Sequence, residues 1–447
     1  MLGYYFRLAT LSFRRNPGLT GLMVLAIALG IAVCIVTLTI YKATSGNPIW
    51  WKNDRLYAVT LDSWDPNVPA DEEHPQLPPP QMTYKDATYV FASDIPQRKV
   101  LMYKAAGVVT GGMAVRKPTP TLARVTTADF FAMFEVPFAF GGGWSAVADQ
   151  GPEPVIVLSK EENEKLFGGA NSVGKTIRWD DREFRIVGVL DEWQPQPKYY
   201  DLNNGNFDTP EDVYVPWGWG TALEKHSAGN TNCWKPEPLS TFQDMLNSDC
   251  VWISLWVELP TAAARERMQS FIDSYWSAQR KAGRFARPQN NRLTTVSQYL
   301  VDQEVVSRDN RMLVALAFAF LSVCLFNTGG LLLAKFLNNA PHVGVRRALG
   351  ASRRHVYMQH LVEVGALASA GALLGLALGA LGLWGVRVLS ASVFEPQQQG
   401  GYQSLAHVDV TSIVSALALT VITAFVAGSY PAWRVGRVPP ASYLKSQ

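Results

Sequence analysis

The chain has 447 residues and a formal net charge of +3, with 17% charged and 48% hydrophobic residues. This length allows two or three domains; the net charge is unremarkable, although an average conceals how the charges are distributed, and we predict no nucleic-acid partner. Many apolar residues are concentrated in four long segments that are almost free of charge, which argues against a simple soluble fold for the whole chain.

The four apolar segments are each long enough to cross a lipid bilayer as a helix. A span needs about 20 apolar residues, because a helix rises about 1.5 Å per residue through about 30 Å of hydrocarbon. Charged residues such as Glu363 and Arg387 occur only near the segment edges. The alternative, buried helices of a large soluble core, is disfavoured because such helices normally keep a polar stripe. We therefore predict four transmembrane helices, near Leu19–Tyr41, Met312–Leu333, Val362–Val388 and Ser412–Tyr430.

The charges outside these spans predict the orientation of the chain. The segments before the first span, between the second and third, and after the fourth hold eleven Lys and Arg residues and no Asp or Glu. By contrast, the region from Ala43 to Arg311 holds 27 basic and 34 acidic residues, a charge of −7. The positive-inside rule then places both termini and the second connection in the cytoplasm, with the long region outside.

The predicted fold class is an integral membrane α-helical protein with a large α/β extracytoplasmic domain inserted between helices 1 and 2. The first span should remain as an anchor, because it is too long for a signal peptide and lacks a small-residue cleavage site. The segments are a cytoplasmic amphipathic lead-in helix (1–17), transmembrane helix 1 (18–42), an extracytoplasmic core domain with stalk helices (43–311), transmembrane helix 2 (312–334), a cytoplasmic segment (335–361), transmembrane helix 3 (362–389), a short outer loop (390–411), transmembrane helix 4 (412–432) and a cytoplasmic tail (433–447).

Two local patterns in the outward domain give further predictions. The run "TTADFFAMFEV" is typical of a helix capped by Thr126 or Thr127. The run "LTTVSQYLVDQEVVSRDNR", Leu293–Arg311, shows helical spacing and is predicted to continue into the second span as a stalk.

The stretch Gly169–Thr176 matches the phosphate-binding pattern G-x-x-x-x-G-K-[ST]. Such a loop binds phosphate because it follows a strand and opens a helix. Here the preceding residues predict a short helix that Ser159 caps and Gly168 ends, and the following residues predict a β-hairpin that turns at Asp180–Asp181. We therefore interpret the match as accidental and predict no nucleotide site in this chain.

Cysteine and histidine usage predicts one disulfide and no metal site. Cys233 and Cys250 fall in the outward domain, where an oxidising compartment favours a disulfide over two free buried thiols. The six histidines show no metal-ligand spacing with cysteine or carboxylate. The run "DEEH" at Asp71–His74 could bind a cation, but a solvated loop is the favoured interpretation. We predict no catalytic residue and no bound cofactor.

The third span contains Gly371, Gly375 and Gly379 at a spacing of four. This spacing keeps the glycines on one side of a helix and lets another helix approach closely in lipid. We predict a helix-packing or dimer face; the alternative is a merely flexible helix.

Several motifs together resemble the MacB/FtsX-like permease family of ABC transporters. They are "VTTADFFAMFEVPFAFGGGW", the run from Pro154 to Leu190 that includes the phosphate-loop match, "NNAPHVGVRRALGASRRHVYMQHLVE" and the final "GSYPAWRVGRVPPASYLKSQ". The resemblance covers nearly the whole chain, and the order of its parts, one span, a large outer domain and three spans, is the family's order.

The resemblance implies a subunit that hydrolyses nothing and docks on a cytoplasmic ATPase through a short coupling helix. That role would fall on Gly344, Val345, Arg346, Arg347, Ala348, Leu349, Gly350 and Ala351. A segment with two arginines can pair with acidic groups at the rim of a groove. The alternative is that these arginines only set the membrane topology and contact lipid headgroups. The family commonly has an acidic residue where this chain has His342, which puts one ATPase contact in doubt.

The function implied is that of a permease subunit of the bacterial inner membrane, driven by a separate ATPase in two copies that carries the ATP and magnesium. A second permease, identical or paralogous, is expected, and a periplasmic adaptor and an outer-membrane duct are further candidate partners. The outcome could be efflux of a periplasmic substrate, lipoprotein extraction or control of a cell-wall hydrolase. The alternative is a membrane-anchored receptor that needs no ATPase.

Overall fold

The computed structural model describes residues 2–111, 117–151, 153–305, 308–338 and 352–393, with Val345 and Ala418 as isolated positions. Its residues form two compact units. We call residues 45–305 the inserted domain. The helices before and after that domain form the membrane unit.

The helices are α1 (Leu2–Arg15), α2 (Pro17–Ser45), α3 (Tyr84–Phe91), α4 (Asp129–Met133), α5 (Val147–Gln150), α6 (Lys160–Phe167), α7 (Trp217–Ala222), α8 (Phe242–Asn247), α9 (Ala262–Lys281), α10 (Val296–Asp302), α11 (Arg308–Asn338) and α12 (Arg353–Val393). The strands are β1 (Leu56–Thr60), β2 (Arg98–Thr110), β3 (Thr119–Thr126), β4 (Phe138–Gly141), β5 (Val155–Leu158), β6 (Thr176–Trp179), β7 (Arg182–Leu190), β8 (Val213–Pro216), β9 (Ser254–Glu258) and β10 (Arg292–Thr295).

Within the described residues, three helices of the membrane unit are long and apolar enough to cross a bilayer: α2, α11 and α12. Ile27, Ile31 and Ile35 of α2 pack against Leu321 of α11 and Ala372 of α12 in one apolar cluster. Helices α2, α11 and α12 therefore all contribute to one apolar core of the membrane unit. The fourth predicted span, 412–432, lies outside the described residues and stays a prediction.

The inserted domain is built on one ten-stranded mixed sheet in the order β10-β1-β9-β2-β3-β8-β5-β7-β4, with β6 paired to β2 and β7. Only β3–β8 and β5–β7 among these pairs are parallel. Successive strand residues point to opposite faces, so Leu101 and Tyr103 enter one apolar core while Val100 and Met102 enter the other. Helices α3, α6, α7, α8 and α9 contribute to the first core, and α4, α5 and α10 contribute to the second. Both faces of the sheet are therefore covered.

A buried ionic network adds to the second core. The Arg124 guanidinium on β3 donates to the Asp201 and Glu211 carboxylates, and Lys198 Nζ donates to Glu211 Oε1 at 2.7 Å. Burial on its own raises the pKa of Glu211, but the two neighbouring cations outweigh it and hold that pKa well below its usual range. The network therefore places its charges in the core as compensated pairs.

The phosphate-loop match lies where its local pattern predicts. The Ser159 side chain accepts a hydrogen bond from the Glu162 backbone N–H at the start of α6, and Gly168 ends that helix in the left-handed conformation at φ 65°. Beyond the loop, β6 and β7 pair as a hairpin in which Trp179 lies opposite Arg182. The predicted order of helix, loop and hairpin is confirmed, and the loop opens no helix.

Two local predictions are wrong. Helix α4 begins after Ala128 without a side-chain cap, because the Thr126 and Thr127 hydroxyls instead donate to carbonyl oxygens of the neighbouring strand β2. The predicted stalk is not one helix running into the second span. Leu293 pairs with Val59 of β1 inside strand β10, and α10 ends at Asp302.

Candidate functional site: charged residues beside the connection between α11 and α12

A buried ion pair joins the two helices that flank the predicted coupling segment. Lys335 lies in the last turn of α11, and its Nζ is 2.7 Å from Oε1 of Glu363 on α12. Their side chains are only 1% and 5% exposed. We call Ser12, Lys335, His360 and Glu363 the connection cluster, because it brackets residues 339–352.

Helix α1 joins the same cluster. The Ser12 hydroxyl donates to Glu363 Oε1 at 2.6 Å, and Lys335 Nζ lies 5.2 Å from the centre of the Phe13 ring. The face of α1 that carries these groups also buries Tyr5 and Ala9. The amphipathic lead-in helix is therefore tied to α11 and α12 by polar and apolar contacts.

His360 completes the cluster one turn before Glu363. Its Nδ1 is 3.7 Å from Glu363 Oε2, which is too long for a hydrogen bond. Its ring lies 4.1 Å from the Phe336 ring, centre to centre. His360 is 3% exposed, so it packs beside the ion pair as a buried aromatic group.

The arrangement is electrostatically balanced. A lone charge in a low-dielectric interior costs several kcal/mol, but the Lys335 ammonium and the Glu363 carboxylate neutralise each other at contact distance. Separating α11 from α12 here would expose two uncompensated charges to an apolar environment. The cluster therefore resists relative movement of the helices and favours their moving together.

The sequence shows these two charges but not their contact. Glu363 is an edge charge of the third predicted span, and Lys335 is one of the cations that predict the topology. An ionisable residue inside an apolar segment is by itself a signal of function. Only the folded helices show that the two residues meet.

The structure leaves the coupling assignment as a prediction. His342, Gly344, Arg346, Arg347, Ala348, Leu349, Gly350 and Ala351 lie outside the described residues. Val345 is described as an isolated, exposed position.

The three spaced glycines of α12 lie against α2. An added Cβ at Gly371 would be 2.7 Å from Cγ2 of Ile27, and one at Gly375 would be 3.0 Å from the carbonyl oxygen of Ala28. At Gly379 the nearest atom would be 3.3 Å away. This glycine face is therefore occupied by the first span of the same chain.

Cys233 and Cys250 are joined by a disulfide in the inserted domain. Beside it, Asn232 and Val251 form a backbone bridge with hydrogen bonds of 3.0 and 2.8 Å. The two cysteines in the apolar helices, Cys34 and Cys324, are free and buried.

Comparison with known proteins gives two family matches. The MacB-like periplasmic core domain matches residues 20–274, and the FtsX-like permease C-terminal model matches residues 314–440. A pyoverdine export ATP-binding/permease protein of Pseudomonas syringae pv. tomato is 22% identical over 438 residues, which are 96% of this chain and 57% of that protein. The macrolide export ATP-binding/permease protein MacB of Bdellovibrio bacteriovorus is 22% identical over 309 residues, 68% of this chain and 41% of that protein.

The chain thus spans about half the length of the curated relatives it matches. Among solved structures, the periplasmic region of MacB from Actinobacillus actinomycetemcomitans aligns with a TM-score of 0.36 and 11% identity. That alignment covers 58% of this chain and 96% of the MacB region.

Proposed function

Because this chain belongs to the MacB/FtsX-like permease family of ABC transporters, we propose that it is the permease through which a separate cytoplasmic ATPase drives movement of a periplasmic domain. In this proposal residues 344–351 contact the ATPase, and the inserted domain acts on a periplasmic substrate. The named relatives export pyoverdine or macrolides, which supports export as the outcome for this chain.

The connection cluster is the observation that carries the proposal. The proposed coupling segment belongs to the stretch between α11 and α12, and the ion pair joins Lys335 in the last turn of α11 to Glu363 in the first third of α12. The Ser12 hydroxyl bonds α1 to the same glutamate. In this proposal, a movement of the coupling segment would therefore shift α1, α11 and α12 together, and the movement would be transmitted along α11 and α12 as rigid helices.

A separate ATPase is consistent with the context of the phosphate-loop match. Lys175 of that match lies between a helix and a hairpin, in the domain matched by a periplasmic family model. Phosphate binding needs the opposite order of elements. We propose two copies of the ATPase and a second permease, because four spans are few for a transport path within one chain.

The proposed orientation places both termini in the cytoplasm. The distribution of charge supports it: the segments assigned to the cytoplasm hold eleven Lys and Arg residues and no Asp or Glu, whereas the region from Ala43 to Arg311 has a charge of −7.

Copurification tests the proposal directly. The affinity-tagged chain, purified from its native membrane in mild detergent, should carry a nucleotide-binding subunit and show ATP turnover. ATP should also change hydrogen exchange in the inserted domain of the complex reconstituted in nanodiscs. Purification without any ATPase would contradict the proposal and favour the receptor.

Charge reversal tests the coupling residues. The double variant Arg346→Glu/Arg347→Glu should insert normally but lose the ATP-dependent change in the inserted domain. Arg346→Lys/Arg347→Lys, which keeps both positive charges and therefore the topology signal, is the matched control and should retain it. An unchanged response in the first variant would contradict the coupling assignment. Lys175→Ala should leave ATP turnover of the complex unchanged.

A further inference from the structure

The loop after β1, residues 61–76, is held by hydrogen bonds from two arginines near the end of the inserted domain, Arg287 and Arg292. Arg287 Nε donates to Asp62 Oδ2 at 3.0 Å, and the same guanidinium donates to the carbonyl oxygens of Val68 and Pro75 at 3.3 and 3.1 Å. Arg292 donates to the Gln76 carbonyl oxygen at 2.8 Å. These contacts anchor the backbone on both sides of the "DEEH" run, while the Asp71, Glu72 and Glu73 side chains remain exposed to solvent.

This anchoring brings three metal-ligating side chains together. One ligand atom each from Glu73, His74 and Glu304 lies within 4.8 Å of the others, and His74 Nε2 is 3.3 Å from Glu304 Oε1. Ligands bound to a tetrahedral zinc ion at about 2.0–2.1 Å are about 3.3 Å apart. The imidazole and the Glu304 carboxylate therefore already have the separation that a shared ion requires.

A second carboxylate orients the imidazole. Asp71 Oδ2 is 3.3 Å from His74 Nδ1, and Asp71 Oδ1 accepts the backbone N–H groups of Glu73 and His74 at 2.8 and 3.3 Å. With an ion bound, Nδ1–H would donate to Asp71, and Nε2, which faces Glu304 Oε1 at 3.3 Å, would be the ligand atom. Carboxylate–histidine–metal triads use this arrangement to set the tautomer and ring orientation of a ligand.

The chemistry of the ligand set selects the class of ion. An imidazole nitrogen with two carboxylates suits zinc and its first-row neighbours, whereas calcium and magnesium prefer all-oxygen sites. Three protein ligands leave one tetrahedral position for water. Three carboxylates, those of Asp71, Glu73 and Glu304, surround one imidazole, so a divalent cation also balances the local negative charge.

We propose that Glu73, His74 and Glu304 bind a zinc-class divalent ion that ties the loop after β1 to the residues following α10. Glu304 precedes the first residue of α11 by four positions in the chain. The ion would therefore restrain the end of the inserted domain just before the second span. The proposal does not depend on the proposed transport function. The spacing of residues in the sequence could not reveal this metal site, because Glu304 is far from Glu73 and His74 along the chain.

Metal titration of the purified full-length chain tests the site. The chain carries a tag without histidines, is stripped of metal with a chelator and is titrated with Co²⁺, whose visible absorption reports tetrahedral coordination; Zn²⁺ is then added in competition. One ion per chain should bind, and Zn²⁺ should displace Co²⁺. His74→Ala should abolish the absorption, and Asp71→Asn should weaken binding about 10–100-fold.

The matched control is His226→Ala, which removes another histidine of the inserted domain and should bind as the wild type does. Glu304→Gln keeps the shape of the side chain and should lose binding even if His74→Ala fails to fold. The proposal is overturned if the wild-type chain binds neither ion. It is equally overturned if Glu304→Gln binds Co²⁺ with wild-type affinity and absorption.

Discussion

Neutralising Glu363 while keeping its shape should destabilise the membrane unit. In Glu363→Gln the amide oxygen can still accept the Ser12 hydrogen bond, but Lys335 is left as a buried, unpaired cation. Lys335→Met produces the converse state, with Glu363 unpaired. The double variant Lys335→Met/Glu363→Gln buries no net charge at this point.

The contact geometry sets the size of the effect. At the 2.7 Å Nζ–Oε1 separation, two unit charges attract by about 6 kcal/mol for an effective dielectric constant of about 20. Part of this attraction is offset by desolvation, and removing one partner of a buried pair costs about 3–5 kcal/mol. We expect about this loss for each single variant. The double variant should regain most of it, because replacing both partners of a buried pair is often close to neutral.

The assay is a double-mutant cycle on the purified chain. The free energy of unfolding is measured in mixed micelles for the wild type, both single variants and the double variant. Lys42→Met at the exposed end of α2 serves as the control and should change stability by less than about 0.5 kcal/mol. Single variants that each cost less than about 1 kcal/mol, or a double variant that costs their sum, would refute the buried ion pair.

Three further predictions concern other parts of the molecule. Gly375→Leu should weaken the contact between α12 and α2 and lower the melting temperature, whereas Gly365→Leu on the same helix should be tolerated, because an added Cβ there meets no described atom within 4 Å; equal effects would contradict the packing. Burial raises the pKa of Asp149 from 3.8 to about 6, despite hydrogen bonds from Ala128 N–H and the Trp144 indole. Its protonation therefore stabilises the fold below pH 4, and that contribution, up to about 3 kcal/mol, is lost as the pH rises through 6. Melting temperatures across pH 4–6 should fall more steeply in the wild type than in Asp149→Asn, and parallel curves would refute the assignment. Reduction should break the Cys233–Cys250 disulfide and cost about 3 kcal/mol, as expected for a cross-link that closes a loop of 17 residues; full alkylation of both cysteines before reduction would exclude it.

The features predicted correctly from sequence depend on neighbouring residues. Ser159 and Gly168 lie at the two ends of α6, so a cap and a left-handed glycine were visible in a short window. The hairpin of β6 and β7 turns in two residues, which the alternating pattern around Asp180 and Asp181 indicates. The length of the apolar segments was enough to predict the three spans that the structure describes, because a helix needs about 20 apolar residues to cross a bilayer.

The wrong predictions arose where a partner from elsewhere in the chain decided the outcome. Leu293 has helical spacing in its own segment, yet it pairs with Val59 of β1 as part of a strand. Thr127 has the position and side chain of a helix cap, but its hydroxyl donates to the Lys99 carbonyl oxygen instead. In both cases a tertiary hydrogen bond outweighed a local preference.

The sequence by itself determined which segments are apolar enough to enter a membrane, where the inserted domain lies in the chain, and that the phosphate-loop match has the wrong surroundings. Tertiary structure alone decided that Lys335 meets Glu363, that the glycines of α12 face α2, and that His74 lies beside Glu304. The physical reason is the separation along the chain over which each kind of interaction acts. Hydrophobic periodicity and capping act within a few residues, whereas an ion pair or a ligand set needs groups that only the folded backbone brings within a few ångströms.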